Sequence, residues 1–169
     1  MNIRRLSESD APQFQALRLA ALVDKPEAFV TSHVEERDLP LAAFEARLVE
    51  HPGHAVFGAF DGDTLVGIAG LARGALIQTR HKANIWGMYV AAAARGHGVA
   101  RTLLDAVLAW SRSTPGLAKV TLSVDSANVA AIALYESLGF VVFAREADAI
   151  RLDGRSRDDL QMHLRFTAP

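Results

Sequence analysis

The stretch Arg95-Gly96-His97-Gly98-Val99-Ala100 decides how this chain folds, because it separates an apolar run from an amphipathic segment. The apolar run covers residues 85–90, and the predicted helix covers residues 99–113. A strand that leads through a glycine-rich turn into a helix start presents N–H groups without intrahelical partners, and the helix macrodipole adds partial positive charge there. We therefore predict an anion-binding turn suited to a phosphate group.

Glycine serves such a turn in two ways. It adopts positive φ, which lets several N–H groups converge, and its missing Cβ lets a ligand approach the backbone closely. Arg95 and Arg101 flank the turn and are expected to add charge-assisted hydrogen bonds to a phosphate. His97 is expected to shape the turn rather than to transfer protons. The ligand that this pattern predicts is a phosphorylated cofactor.

Spacing sets aside two familiar phosphate loops. A P-loop requires Gly, four residues and then Gly-Lys-Ser/Thr, and the sequence has no such run. A dinucleotide fingerprint requires Gly-x-Gly-x-x-Gly, and Arg101 stands where the third glycine belongs. This disfavours a dinucleotide-binding oxidoreductase. What remains is the pattern Arg-x-x-Gly-x-Ala, from Arg95 to Ala100.

Composition indicates an ordinary globular protein. The chain has 169 residues, half of them hydrophobic and 22% charged, which favours one domain over residues 1–169. Its formal net charge of −1 provides no basic field for nucleic acid, and without cysteine it has no thiolate to bind a metal. The N-terminus lacks a signal-peptide core, and no run approaches the roughly 18 apolar residues of a membrane span. We expect a cytoplasmic protein with no nucleic-acid, membrane or metal partner.

Hydrophobic periodicity predicts helices first and strands afterwards. Residues 11–23 and 41–50 have helical spacing, with a loop or broken helical region at residues 25–39 between them. The turn Asp61-Gly62-Asp63 separates two β-branched or aromatic runs and predicts a hairpin. A further helix is predicted at residues 128–138, and strands at residues 2–6, 54–60, 64–71, 81–90, 119–124, 140–145 and 160–166.

These elements combine into an α/β fold. Hairpin strands, one βαβ crossover through the helix after the glycine turn, and a final hairpin predict a mixed, mainly antiparallel sheet flanked by helices. The final hairpin is expected to turn at residues 153–158. The alternation of Leu160, Met162, Leu164 and Phe166 fits either a core face or an interface.

A second motif begins thirty residues beyond Gly98, with the sequence Asn128-Val129-Ala130-Ala131-Ile132-Ala133-Leu134-Tyr135-Glu136-Ser137-Leu138-Gly139-Phe140. Together, the two motifs resemble those of the GNAT-type N-acetyltransferases. In that family an Arg/Gln-x-x-Gly-x-Gly/Ala turn binds the acetyl-CoA pyrophosphate, and an Asn-x-x-Ala-x-x-Leu-Tyr-x-x-x-Gly-Phe stretch follows one strand later. The resemblance covers about residues 3–166 and is specific between residues 85 and 140.

The resemblance implies a GNAT-like acyl-CoA N-acyltransferase fold and an enzyme that uses acetyl-CoA as cosubstrate, with no metal. The expected reaction is direct transfer of the acetyl group to a primary amine of a small molecule, an amino acid or a peptide terminus. The resemblance also implies a homodimer formed through the C-terminal strands.

Acetyl transfer from a thioester to an amine needs a neutral amine, stabilisation of an oxyanion and a proton for the departing thiolate. Tyr135 is the expected general acid, since a phenol has an ordinary pKa of about 10 and is protonated at neutral pH. Asn128 is expected to cap the helix that follows it. The resemblance adds a hydrogen bond from Asn128 to the cofactor near its pantetheine or thioester.

The expected cofactor-binding residues lie in two segments and the second motif. Backbone groups at the strand end are expected to pair with the pantetheine amides, and backbone N–H groups of the turn with the pyrophosphate. The full set is Met88, Tyr89, Val90, Arg95, Gly96, His97, Gly98, Val99, Ala100, Arg101, Asn128 and Tyr135.

The general base is not identified by the sequence. Glu35 and Glu36 are candidates for contact with the substrate or a base water, and Trp86 is a candidate for the substrate pocket. Three further base candidates are His33, His81 and Asn84. The missing base keeps a second hypothesis open, an acyl-CoA-binding sensor or regulatory module with little turnover.

Overall fold

Seven strands form one sheet within residues 1–166, the part of the chain that this computed structural model describes. In chain order they are β1 (Asn2–Arg5), β2 (His54–Asp61), β3 (Thr64–Arg73), β4 (Lys82–Val90), β5 (Lys119–Asp125), β6 (Val141–Leu152) and β7 (Arg155–Arg165). Their spatial order is β1-β2-β3-β4-β5-β7-β6. Of these neighbours, β4 and β5 are parallel because a crossover helix, α4 (Val99–Ser113), connects them. The predicted α/β fold with a mixed, mainly antiparallel sheet is confirmed.

Two apolar clusters cover the two faces of the sheet. The other helices are α1 (Ala11–Asp24), α2 (His33–Glu36), α3 (Leu41–Glu45) and α5 (Val129–Ser137). On one face, α4 buries Leu103 and Leu104 completely. On the opposite face, Phe14 of α1 meets Phe44 of α3 edge-on, with ring centroids 6.2 Å apart. In the described part of the chain, no helix combines the length and apolarity needed to cross a membrane.

Several predicted boundaries are wrong, for reasons visible in the structure. The helix expected at residues 41–50 ends at Glu45, because the chain tightens there into turns in which Leu48 N–H donates to Glu45 O. The final hairpin is longer than the predicted strands 140–145 and 160–166, since β6 and β7 pair up to a two-residue turn at Asp153-Gly154. The residues that extend β6 and β7 beyond the predicted strands are mostly polar, so the sequence there has no alternation of apolar and polar residues from which a strand could be predicted. Met162 is fully buried, so the alternation in β7 marks a core face.

The sheet opens between β4 and β5. These strands pair over three residue pairs, the last of them Asn84–Thr121. Immediately after Trp86, β4 bulges against β3, and Gly87 has a φ of +64°. Beyond this point a cavity of about 700 Å³ lies between the two strands.

Candidate active site

The cavity between β4 and β5 is in the size range of small-molecule and cofactor sites. Its walls are residues 84–90 of β4, residues 122–125 of β5, one side of α5, and the turn that follows α1. A smaller cavity of about 320 Å³ lies at the start of α4. Both cavities are lined by Val90, Arg95, Ala100 and Leu134, so they adjoin. An elongated ligand could therefore extend from the α4 start into the open sheet.

The glycine turn has the geometry that its sequence predicts. Gly96 and Gly98 have φ of +79° and +75°, and Gly98 directly precedes α4. A Cβ at either position would meet nothing within 4 Å, so packing does not require glycine here. The positive φ of both residues favours glycine instead. The N–H groups of Val99, Ala100 and Arg101 begin the helix and have no intrahelical partners, as an anion site requires.

The charged side chains of the turn contact protein groups. Arg95 Nε donates to Val90 O at 2.9 Å, and its guanidinium also binds the carboxylate of Asp24. His97 Nδ1 lies 2.8 Å from Arg95 O, within the turn. Arg101 donates to Ser137 Oγ at 2.5 Å. The two arginines expected to bind phosphate thus link the turn to α1, β4 and α5, whereas the backbone N–H groups at the start of α4 have no intrahelical partners.

The end of β4 presents main-chain groups to the larger cavity. Ala91 N–H donates to Val66 O of β3 at 2.8 Å. Because backbone groups alternate between the two sides of a strand, those of Val90 face away from β3; Val90 O accepts from Arg95 Nε, which leaves the Val90 N–H toward the cavity. Met88 and Tyr89 line the same wall. The open strand edge that the pantetheine prediction requires is therefore present.

Asn128 and Tyr135 both line the larger cavity. Asn128 Oδ1 accepts a hydrogen bond from Ala131 N–H at 3.2 Å, which confirms its predicted role as the cap of α5. Tyr135 is 6% exposed, and its ring lies edge-on to Phe140 with centroids 5.8 Å apart. Burial raises the pKa of Tyr135 to about 12. The phenol is therefore protonated throughout the physiological pH range.

The expected acidic pair lies outside the cavity walls. Glu36 is buried and accepts hydrogen bonds from Arg18 at 2.8 Å, Thr31 at 2.7 Å and Arg47 at 2.9 Å. Burial alone would raise the pKa of Glu36, but these hydrogen bonds outweigh it and hold the pKa at about 2. A carboxylate this acidic and this fully bound is a poor proton acceptor. Glu36 is thus a structural anion.

Glu35 has a local role. Its carboxylate accepts hydrogen bonds from Ser32 N–H and Ser32 Oγ, both at 2.7 Å, and so completes a capping box at the start of α2. The Ser32 hydroxyl lowers the pKa of this carboxyl below its ordinary value. The structure therefore does not bring this pair, expected to contact the substrate or a base water, into the wall of the larger cavity.

Trp86 forms part of the cavity wall, as expected for a pocket residue. Its indole stacks on His54 with centroids 5.7 Å apart and covers Gly70, where a Cβ would lie 2.2 Å from the ring. Of the three further base candidates, Asn84 lines the cavity, and its amide donates to Thr121 O at 3.3 Å. Within residues 1–166, no three His, Asp or Glu side chains come together in a group that could hold a metal ion.

Two carboxylates that the sequence did not single out line the larger cavity, Glu27 and Asp125. Asp125 ends β5 and is buried, with Arg157 Nε 2.5 Å from its carboxylate. Glu27 belongs to a short turn of 3₁₀-helix, Pro26–Ala28, directly after α1. In the sequence, Glu27 is distinguished only as an acidic residue beside Pro26, in a segment without hydrophobic periodicity. Which carboxylates meet at the cavity depends on contacts between segments far apart in the chain.

The sequence model of the acetyltransferase (GNAT) family matches residues 14–140, and the chain belongs to this family. The N-alpha-acetyltransferase RimI of Mycobacterium tuberculosis is 39% identical over 102 residues, which are 60% of each chain. The mycothiol acetyltransferase of Salinispora tropica is 51% identical over 47 residues, 28% of this chain and 15% of that protein. The chain thus spans less than two thirds of the length of these curated relatives.

Solved structures share the whole fold. An acetyltransferase of the GNAT family from Streptococcus pneumoniae superposes with a TM-score of 0.90 at 19% identity, covering 98% of this chain and 99% of that one. The yncA protein of Salmonella typhimurium, solved with its cofactor acetyl-CoA, gives 0.84 at 26% identity, covering 100% and 97%. The predicted GNAT-like fold is confirmed.

Proposed function

We propose that this protein is an acetyl-CoA-dependent N-acetyltransferase that moves an acetyl group directly to a primary amine, with Tyr135 as the general acid. One observation carries the proposal. The phenol of Tyr135 lies in the wall of a cavity that also presents the open edge of β4 and adjoins the glycine turn. A proton donor, a strand edge and an anion site are thus arranged along one groove.

Along the groove, the expected cofactor-binding residues would meet the pyrophosphate first, then the pantetheine and then the thioester of acetyl-CoA. The backbone N–H groups from Gly96 to Arg101 would bind the pyrophosphate, since those at the start of α4 have no intrahelical partners. Main-chain groups of Met88 and Val90, which strand alternation turns away from β3, would pair with the pantetheine amides, and Tyr89 would complete the same wall. The thioester, which supplies the electrophilic carbonyl, would then lie near Asn128 and Tyr135.

The raised pKa of Tyr135 bears on its role as a proton donor. A pKa of about 12 keeps the phenol protonated but makes it a weaker acid than a solvated tyrosine. The same burial would raise the pKa of a thiol formed beside it, because desolvation disfavours every anion in the site. The two pKa values move in the same direction, so proton transfer to sulfur stays feasible.

The acceptor is proposed to be a primary amine. Relatives support this class: one is named an N-alpha-acetyltransferase, and a structural neighbour from Brucella melitensis, 25% identical with a TM-score of 0.81, is named a ribosomal-protein-alanine N-acetyltransferase. A small-molecule amine and a peptide terminus both fit the proposal. The formal net charge of −1 gives no general attraction for a strongly anionic acceptor.

A thiol-release assay tests the proposed function. The protein is incubated with acetyl-CoA and each of three amines: spermidine, free lysine and a short peptide with an N-terminal alanine. We expect release of coenzyme A thiol with at least one amine and formation of the acetylated amine by mass spectrometry. Tight acetyl-CoA binding without thiol release for any amine would instead support an acyl-CoA-binding sensor or regulatory module.

We also propose a homodimer that forms through the C-terminal strands. β6 is the last strand of the sheet and leaves Val141 54%, Val142 45% and Phe143 53% exposed. Apolar side chains on an edge strand favour pairing with another chain. Light scattering should give twice the mass of one chain, and the Phe143→Glu variant should shift this toward the monomer. A monomeric wild-type protein would contradict the proposal.

A further inference from the structure

We infer that Glu27 is a catalytic residue that binds the ammonium form of the acceptor amine and takes its proton before acetyl transfer. This inference rests on the proposed function, because it names the group that meets the acceptor in the same cavity. It also defines the substrate class further: the acceptor arrives as a primary alkylammonium ion.

The larger cavity has a wall in which most of the charges are already paired. Its charged wall residues are Arg18, Lys25, Glu27, Arg95 and Asp125. Most of them are tightly paired with groups outside the cavity wall: Arg18 lies 2.8 Å from Glu36, Arg95 binds Asp24, and Asp125 lies 2.5 Å from Arg157. The ion pair of Glu27 is a loose contact of 3.9 Å with Lys25 Nζ. Glu27 is therefore the wall carboxylate with capacity to receive a cation.

Glu27 is held in place by its turn. Pro26 fixes φ at the first position, Ala28 N–H donates to Lys25 O at 3.0 Å, and Phe29 N–H donates to Pro26 O at 3.3 Å. Phe29 is buried beneath the Arg18 guanidinium, 4.6 Å from its ring centroid. The turn also contacts β5 and β6. A carboxylate on such a support is positioned before the substrate arrives.

Glu27 and Tyr135 reach the larger cavity from opposite faces of the sheet. Phe29, which anchors the turn of Glu27, belongs to the apolar cluster on the α1 face of the sheet. Tyr135 belongs to the cluster on the α4 face. The opening between β4 and β5 brings both residues to one cavity. The acceptor can therefore enter from the α1 face, opposite the glycine turn, with the proton acceptor and the proton donor on separate sides of the sheet.

One residue on each side of the cavity transfers a proton: Glu27 takes one from the ammonium ion, and Tyr135 gives one to sulfur. The ammonium gives one proton to the Glu27 carboxylate, which passes it to solvent, and the neutral amine forms the new C–N bond. As the C–S bond breaks, the Tyr135 hydroxyl gives its proton to sulfur. The second proton lost from nitrogen restores the phenol. Each turnover thus consumes an alkylammonium ion and releases an amide, a thiol and one proton.

The test compares Glu27→Gln and Glu27→Asp with wild type, using the panel amine that wild type acetylates fastest. Glu50→Gln is the matched control, because it removes the same charge from a side chain that is 89% exposed and outside the cavity wall. For Glu27→Gln we expect unchanged acetyl-CoA affinity by calorimetry and a kcat/KM for the amine that falls about 10²-fold at pH 7. The loss should shrink as the pH approaches the pKa of the free amine, since the substrate then arrives neutral. Glu27→Asp should retain part of the activity, and Glu50→Gln all of it.

The outcomes separate this inference from the proposed function. If wild type releases thiol and Glu27→Gln stays within about twofold of it at every pH, the role of Glu27 is overturned and the enzyme assignment stands. A loss that does not recover at high pH, or that accompanies weaker acetyl-CoA binding, assigns Glu27 a structural role and also overturns the inference. If wild type acetylates no amine, the proposed function fails and the inference fails with it.

Discussion

Asp24, the last residue of α1, binds the guanidinium of Arg95, the first residue of the glycine turn. The Tyr89 hydroxyl donates to the same carboxylate at 3.0 Å. Because Arg95 also donates to Val90 O, this link joins the end of α1, the open end of β4 and the start of the turn. It connects the wall proposed to face the acceptor with the segments proposed to hold the cofactor.

Removing the charge of Asp24 should therefore affect the cofactor more than the fold. In Asp24→Asn, Arg95 loses its ionic partner, and we expect acetyl-CoA to bind roughly threefold to tenfold more weakly, the effect of losing one hydrogen bond. The pair is partly exposed, so the thermal midpoint should change little. Calorimetry and thermal denaturation measure the two effects. Asp38→Asn, at a carboxylate that is 84% exposed, is the control. Equal acetyl-CoA affinity in Asp24→Asn and wild type would show that the link does not position the turn.

The glycine turn can be tested with a control that carries the same backbone strain. Gly98 and Gly154 have φ of +75° and +74°, and a Cβ at either would meet nothing within 4 Å. Gly98→Ala and Gly154→Ala should each lower the free energy of unfolding by about 1 kcal/mol, because a left-handed conformation is strained for alanine. Gly98→Ala should also weaken acetyl-CoA binding, whereas Gly154→Ala should not. Equal affinities would remove the turn from the cofactor site.

The Glu36 network predicts a loss of stability in acid. Its pKa is about 2 in the folded protein against an ordinary value of 4.5, so the unfolded chain takes up this proton first as the pH falls. The stabilisation is complete above pH 4.5 and is lost as the pH falls toward 2. Glu36→Gln breaks a buried ion pair and should cost about 3–5 kcal/mol at pH 7. Urea denaturation from pH 7 to pH 3 should show the difference from wild type shrinking in acid; a constant difference would contradict the assigned protonation state.

The sequence predicted what depends on neighbouring residues. The Asp61-Gly62-Asp63 hairpin and the cap at Asn128 lie where expected, and α4 has its predicted bounds, because short-range turn and capping chemistry and a clear helical period determine them. The glycine turn is also where its pattern placed it. These features follow from interactions within a few residues of each other.

The sequence could not predict what depends on distant partners. The sequence offers Glu36 as a candidate for contact with the substrate or a base water, but Arg18 and Arg47, which bind it, lie 18 and 11 residues away. Glu27 reaches the cavity because its turn packs against β5 and β6. The length of β6 was underestimated because its polar outer half pairs through the backbone with β7 and has no apolar alternation to reveal it.

The raised pKa of Tyr135 leads to a prediction about how activity depends on pH. Since burial raises the pKa of its phenol to about 12, ionisation of Tyr135 cannot reduce activity at any pH below about 10. Any decline of kcat between pH 7 and pH 10 in wild type should therefore occur in Tyr135→Phe as well. A decline that is present in wild type and absent in Tyr135→Phe would mean that the pKa of Tyr135 is much lower than its burial implies.

The most direct test of Tyr135 as the general acid is the turnover of Tyr135→Phe. The substitution removes one hydroxyl and leaves the ring that packs edge-on to Phe140, so the fold and the cofactor groove should be kept. We expect acetyl-CoA affinity equal to wild type and a kcat lower by about 10²-fold, the contribution of a positioned general acid. Full kcat across the pH range with the same acetyl-CoA affinity would contradict this role.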